Sequence, residues 1–349
     1  MACLAGSRRC EVMGAMEKTK TLYQKLSTPL GKIGLSPLSL VAFILVGLFP
    51  LVSPNEYYTK LGVTCLLWGT LAMGFDFSVG FINVSNWGYA ALMGSGAYIS
   101  ALLNQYFGVN PWLGMVIGGL AAALLGLLIA LLTMKMDAMF AALLAWFVGI
   151  VLQNIIAALP DITRGAMGLN VTQLFATPWA KPYYYVMFGI CVITYCVLRR
   201  IVDSKYGLAF KALGQDIEAA KAIGISPLKY RTINFVVSCF IAGIVGGFYG
   251  HYVGVLSPNV LGTKNVVQIL VLAYIGGRGS IWGPLLAGFI IMPVFEAMNS
   301  LVEIKYIIYG LLLIVSMIYF PGGFCKIPEK ISSIVADKKA NKNKKCEGA

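Results

Sequence analysis

The chain has 349 residues, of which 58% are hydrophobic and 12% charged, and its mean hydropathy is +0.79. Soluble domains carry about 25% charged residues, so half that share excludes a soluble globular enzyme and marks an integral membrane protein. The 27 basic and 14 acidic residues give a net charge of +13. In a membrane chain this excess is first an orientation signal, and its placement beside apolar runs, with no separate basic domain, argues against a nucleic-acid partner.

Residues 1–36 hold Arg8, Arg9, Lys18, Lys20, Lys25 and Lys32 but no apolar core before Leu38. That pattern is a basic cytoplasmic segment, not a cleavable signal peptide, and the first span serves as the signal anchor. Crossing the hydrocarbon takes roughly 20 helical residues. Apolar runs predict spans at 38–54, 61–81, 87–105, 111–133, 138–159, 182–199, 231–256, 265–278, 282–300 and 304–320. With the N-terminus inside, ten spans leave Lys60, Arg164, Lys181, Lys264 and Lys305 outside and every other basic residue inside, as the positive-inside rule requires. The expected fold is therefore all-α and polytopic, with about ten transmembrane helices and both termini cytoplasmic. A membrane domain covers 37–325, interrupted by an inner loop at 200–230. The lysine-rich tail at 326–349 reads as disordered and positioned to meet anionic lipid.

Within the spans, Gly114, Gly118, Ala122 and Gly126 recur every four residues, as do Gly246, Gly250 and Gly254. Small residues at that spacing let helix backbones approach where lipid supplies no hydrophobic drive. Two stretches look discontinuous. GFINVSNWG (80–88) places Asn83, Ser85 and Asn86 at or near membrane depth, and GGRGSIWGP (276–284) follows a run of only about 14 residues. Irregular backbone is tolerated in a bilayer where protein or a water-filled cavity satisfies it. These breaks are candidates for a translocation path or gate through Asn83, Ser85, Asn86, Gly276, Gly277, Gly279 and Ser280, and the second also reads as a tight cytoplasmic turn. Asp76 and Glu296 are carboxylates inside predicted spans, which makes them functional candidates. Asp76 fits a proton or cation site, a contact to a substrate ammonium, or a neutral, hydrogen-bonded brace between helices.

Catalytic chemistry is absent. His251 is the only histidine, so no histidine pair or triad exists, and it reads as structural. No GxxxxGK[ST] phosphate loop is present, so the chain does not itself hydrolyse ATP. The eight cysteines, at 3, 10, 65, 191, 196, 239, 325 and 346, show no metal or disulfide spacing, and those in apolar runs read as small hydrophobes. No metal site is expected. The segment 160–182 contains DITRGAMGLN, whose Asp161, Arg164 and Asn170 read as a solvated outer loop or a docking surface.

The polar island GLAFKALGQDIEAAKAIGISPLKYR (207–231) stands apart from everything around it. Its alanine, lysine and glutamate favour helix, Asp216 and Glu218 suit a helix start, and Gly224 suits a stop. Between two apolar spans such a helix belongs at the cytoplasmic surface, available to a partner.

Glu218-Ala219-Ala220 followed by Gly224 resembles the EAA–Gly signature of permease subunits of ATP-binding-cassette importers. Together with GYAALMGSGAYISALL (88–103), AFKALGQDIEAAKAIGIS (209–226), FIAGIVGGFYGHYVGVLSP (240–258) and GGRGSIWGP (276–284), the chain resembles the M-type permease of branched-chain amino acid importers from about residue 60 to 325. It departs from that pattern at Asp76, Asn83 and Asn86 and over KMDAMF (135–140). The resemblance implies a coupling helix, Lys211 through Gly224, that docks into a groove of a cytoplasmic ATPase. Its matching positions are Glu218, Ala219, Ala220 and Gly224, with Lys211 and Asp216 beside them. It also implies a second permease subunit (H type, or another copy of this chain), two ATPases that bind ATP and magnesium, and an external binding protein. This chain itself would bind no cofactor. Urea and short-amide importers use similar permeases, and an ion-coupled secondary transporter working through Asp76 is the alternative of a different class.

Overall fold

The structure is a computed structural model that describes residues 37–52, 55–134, 136–175, 177, 179–298 and scattered positions between 307 and 323. The expectations for 1–36, for Lys135 and for the tail 326–349 lie outside the described residues, as does most of the predicted span 304–320. In chain order the helices are α1 (Pro37–Val52), α2 (Glu56–Ile82), α3 (Tyr89–Phe107), α4 (Pro111–Leu132), α5 (Ala138–Ala158), α6 (Pro160–Thr163), α7 (Ala180–Val202), α8 (Lys205–Gln215), α9 (Ile217–Ala222), α10 (Pro227–Val253), α11 (Thr263–Gly276) and α12 (Trp282–Ala297). One two-residue antiparallel ladder, Leu169–Asn170 with Val255–Leu256, joins the 160–182 loop to the segment after α10. The chain is an all-α polytopic membrane protein.

Five helices, α2, α4, α5, α7 and α10, are long and apolar enough to cross a membrane. α1, α11 and α12 are shorter apolar helices, and α11, at 14 residues, reaches only about 21 Å at 1.5 Å per residue. Hydropathy therefore located the apolar segments but did not establish ten crossings. Starts marked by capping chemistry fall where the sequence placed them. Asn110 accepts a hydrogen bond from the Trp112 amide at 3.1 Å with Pro111 at the first helical position, which begins α4. Other ends differ. α2 begins at Glu56 and not 61, and α10 at Pro227 and not 231, because helical turns bearing Lys60, Lys229 and Tyr230 continue past the apolar run.

α2 is the pillar of the bundle. It packs against α12, α7, α10 and α11, and its lower end meets α8. It is the least apolar of the five long helices and almost wholly buried, whereas α5 turns Met139, Phe140, Phe147, Val151 and Ile155 outward. Polar atoms on α2 and α10 close the contact between them. Ser238 Oγ donates to the Gly74 carbonyl at 2.7 Å, and Asn234 Nδ2 donates to the Phe77 carbonyl at 2.9 Å.

The glycine stripes form a three-helix seam among α3, α4 and α10. A Cβ on Gly246 would collide with the Met93 carbonyl, one on Gly118 with the Gly96 carbonyl, and one on Gly243 with Ala122 and the Gly119 backbone. This is the close backbone approach expected of small residues in membrane helices. Gly254 is the exception: it ends α10 in the left-handed region at φ 81° and takes no part in the seam.

Candidate functional site

The polar island folds as two helices, not the single helix expected across Lys211–Gly224. Asp216 breaks it with an extended backbone (φ −153°, ψ 119°) and caps α9, its Oδ1 accepting from the Glu218 amide at 2.8 Å and the Ala219 amide at 3.1 Å. Side-chain capping competes with helix continuation at aspartate, which is why a run of helix formers still divides there. Glu218 pairs with Lys221 at 2.8 Å on an open surface. Ala219 is exposed and Ala220 is buried under the turn that follows, where the Ile225 amide donates to the Ala220 carbonyl at 3.0 Å. Gly224 closes α9 at φ 85° with nothing near its missing side chain. Lys211 is exposed on α8. Ile217, Ile223 and Leu228 stay exposed around the same turn, leaving an apolar and charged surface of the kind a protein partner covers.

This island is seated on the end of the pillar. A Cβ on Gly214 would strike the Phe81 carbonyl, and Phe210 packs edge-on against Phe77 with ring centroids 5.7 Å apart. Gly214 was not among the candidate residues, although an isolated glycine inside a helical run signals close backbone approach.

The two predicted breaks meet directly beside this contact. α2 ends at Asn83, held in the left-handed region at φ 60°. From there residues 83–88 turn back into the bundle. Asn86 is buried with its Nδ2 at 3.7 Å from Cys239 Sγ, and Tyr89 begins α3 at the level of Phe75 and donates to the Ser238 carbonyl at 3.0 Å. The second break, 277–281, lies against the same end of α2. Both carboxylate oxygens of Asp76 accept from the Gly279 amide at 3.1 Å, and Arg278 Nη2 donates to Asn83 Oδ1 at 2.8 Å. A Cβ on Gly80 would collide with the Gly279 backbone, and Gly276 packs against the backbone of Gly283. Ser280 Oγ accepts from the Gly283 amide at 3.0 Å, and Ser85 is half-buried with Asn83 exposed. Asp76 thus braces the second break onto α2, and Arg278 joins it to the first. The sequence named both stretches; the contact between them, Arg278 with Asn83, joins residues 195 apart in the chain and carries no local signature.

Other candidates fall elsewhere. Glu296 is half-buried in the last turn of α12, away from these breaks. His251 is buried, with Nδ1 donating to the Thr172 carbonyl at 2.7 Å and Nε2 accepting from Ser100 Oγ at 2.9 Å, which fixes the 160–182 loop to α3 and α10. Cys65, Cys191 and Cys239 are free and buried, and no metal-ligand cluster occurs among the described residues.

Between the island and the end of α2 lies a cleft of about 670 Å³. It is lined by Asn83 and Val84, by Met134 and Met136 to Ala138, by Leu213 to Glu218, and by Pro227 and Arg231.

Residues 57–317 match the family model described as branched-chain amino acid transport system, permease component. The chain belongs to that permease family. It is 25% identical over 281 residues to the high-affinity branched-chain amino acid transport system permease protein LivM of Escherichia coli, covering 72% of this chain and 66% of that protein. LivM of Salmonella typhimurium is 24% identical over the same shares, so the match spans just under two thirds of these two relatives. LivH of Salmonella typhimurium is 23% identical over 74% of this chain and 91% of its own length. No solved structure matches. The chain thus resembles relatives named LivM and relatives named LivH, and its island and paired breaks all lie within the residues matched by the family model.

Proposed function

We propose that this permease is one of two membrane subunits of an ATP-binding-cassette importer for branched-chain or related amino acids. In this reading an external binding protein delivers the substrate and two separate ATPases hydrolyse ATP with magnesium. The termini and the island face the cytoplasm, and the H-type permease, or a second copy of this chain, completes the path. The observation that carries the reading is the seating of an exposed EAA helix on the lower end of the buried pillar. Force applied to α9 reaches α2 through α8 without an intervening flexible link, because Gly214 brings α8 onto the Phe81 backbone. Lys211, Asp216, Glu218, Ala219, Ala220 and Gly224 form the docking element, with Glu218 exchanging its exposed partner Lys221 for a basic group of the ATPase. Asp76, Asn83, Ser85 and Asn86, together with Gly276, Gly277, Gly279 and Ser280, form the element that the docked helix moves.

The test is radiolabelled leucine uptake with and without the chain, with ATP depleted and, separately, with the proton gradient collapsed. Uptake that requires both the chain and ATP, and survives loss of the gradient, is the expected result. Uptake that follows the gradient and is abolished by Asp76→Asn refutes the reading in favour of ion coupling. Urea and short amides, tested in parallel, decide the substrate class. A Glu218→Arg, Gly224→Asp double variant should insert and assemble but lose ATP-driven uptake.

A further inference from the structure

The cleft beside the island holds charges that docking and coupling leave unused. Arg231 is only 8% exposed and lines the cleft. Among the described residues no carboxylate lies within 4.0 Å of its guanidinium, and no acceptor takes a hydrogen bond from it. A buried cation without a partner is costly. Its position adds to the cost, since it lies near the start of α10, where the helix dipole is positive and the Ser226 side chain caps none of the free amides. This corner of the cleft therefore attracts an anion.

A second lining residue has the reverse character. Asp137 precedes α5, its side chain caps nothing, and it has no ion-pair partner among the described residues. Asp216, Glu218 and Lys221 also line the cleft, but Asp216 caps α9 and Glu218 pairs with Lys221. Apolar lining is supplied by Val84, Met134, Met136, Leu213 and Ile217. Arg231 and Asp137, opposite charges that line one cleft with no ion pair between them, suit a ligand bearing both. The volume, about 670 Å³, falls in the range of roughly 300–1,000 Å³ typical of small-molecule pockets.

We infer that this cleft binds a free amino acid with an apolar side chain and that its occupancy slows transport. The α-carboxylate lies on Arg231 and the start of α10, the α-ammonium on Asp137, and the side chain on the apolar lining that includes Met134 and Met136. The cleft is lined by α8, α9 and the end of α2 and also by Met134, Met136, Asp137 and Ala138 of the α4–α5 turn, so a ligand that fits this arrangement favours it over any in which the island and α2 move together away from that turn. The product on the ATPase side thereby restrains its own import. This inference rests on the branched-chain amino acid reading given above.

The test uses the complete transporter in proteoliposomes loaded with ATP and increasing leucine. External labelled leucine uptake and internal phosphate release are recorded together. Internal leucine should suppress both, while 4-methylpentanoate, which lacks the ammonium group, should be much weaker. Arg231→Gln and Asp137→Asn should each raise the leucine concentration needed for inhibition by about tenfold or more, with uptake unchanged when no internal leucine is present. Asp137 is exposed, so its variant remains informative if Arg231→Gln assembles poorly. Wild-type uptake insensitive to internal leucine overturns the inference and leaves the importer reading intact, whereas no ATP-dependent uptake at all overturns the importer reading itself. Inhibition that persists unchanged in Asp137→Asn, or that 4-methylpentanoate reproduces in full, overturns the assignment of a zwitterion to this cleft.

Discussion

Gly246 and Gly224 are the same residue used for opposite reasons. Gly246 is helical and has no room: a Cβ there would enter the Met93 carbonyl. Gly224 has open space on every side and a backbone, at φ 85°, that other residues rarely adopt. The first lets two helices touch; the second lets one helix stop. A substitution at the seam therefore attacks the fold, and one at the island attacks a conformation. Inside a membrane, where burying apolar surface drives little association, close packing carries more of the stability than it does in water.

The sharpest way to break this contrast is Gly246→Val. Overpacking commonly costs about 1–3 kcal/mol and can cost more, and here the obstacle is backbone that cannot rotate away. Loss of the monodisperse folded permease in detergent chromatography is expected, while Gly189→Val, which meets open space, should elute as the native chain does. Asp76→Leu comes next. It removes both acceptors of the Gly279 amide and should lower stability by roughly 1–3 kcal/mol, read as a fall in thermal unfolding temperature, with Asp76→Asn retaining part of the loss because an amide oxygen still accepts. Gly224→Ala should cost about 1–2 kcal/mol of left-handed strain at α9 alone. Its expected signature is normal yield with reduced uptake per ATP hydrolysed. If it lowers yield as Gly246→Val does, the division between seam and island fails. Lys221→Ala removes only an exposed pair and should shift the unfolding free energy by less than about 1 kcal/mol.

The same contrast separates what was legible in the sequence from what was not. Periodicity and punctuation are local, so the stripes through Gly118 and Gly246, the start at Pro111 and the breaks at 80–88 and 276–284 could all be read directly. Gly254 kept the stripe's spacing while serving as a helix stop, which spacing alone does not distinguish. Asp216 was legible as a helix start, but the break it makes with the preceding α8 depends on a backbone turn that composition does not encode. The grip of Asp76 on Gly279, the clasp of Arg278 on Asn83 and the solitary burial of Arg231 arise from helices far apart in sequence. No window on one segment contains both partners.

The pillar has a mechanical consequence. At 27 residues α2 is a rod of about 40 Å, gripped at one end by α8 and the 277–281 turn and sheathed by neighbours along its length. Tilting such a rod by only about 5° carries its far tip roughly 3–4 Å, on the scale of a hydrogen bond or a water molecule. In the importer reading proposed above, a small stroke at the island would therefore be magnified into a displacement large enough to wet or dry a narrow passage at the other end of α2, with no helix having to melt.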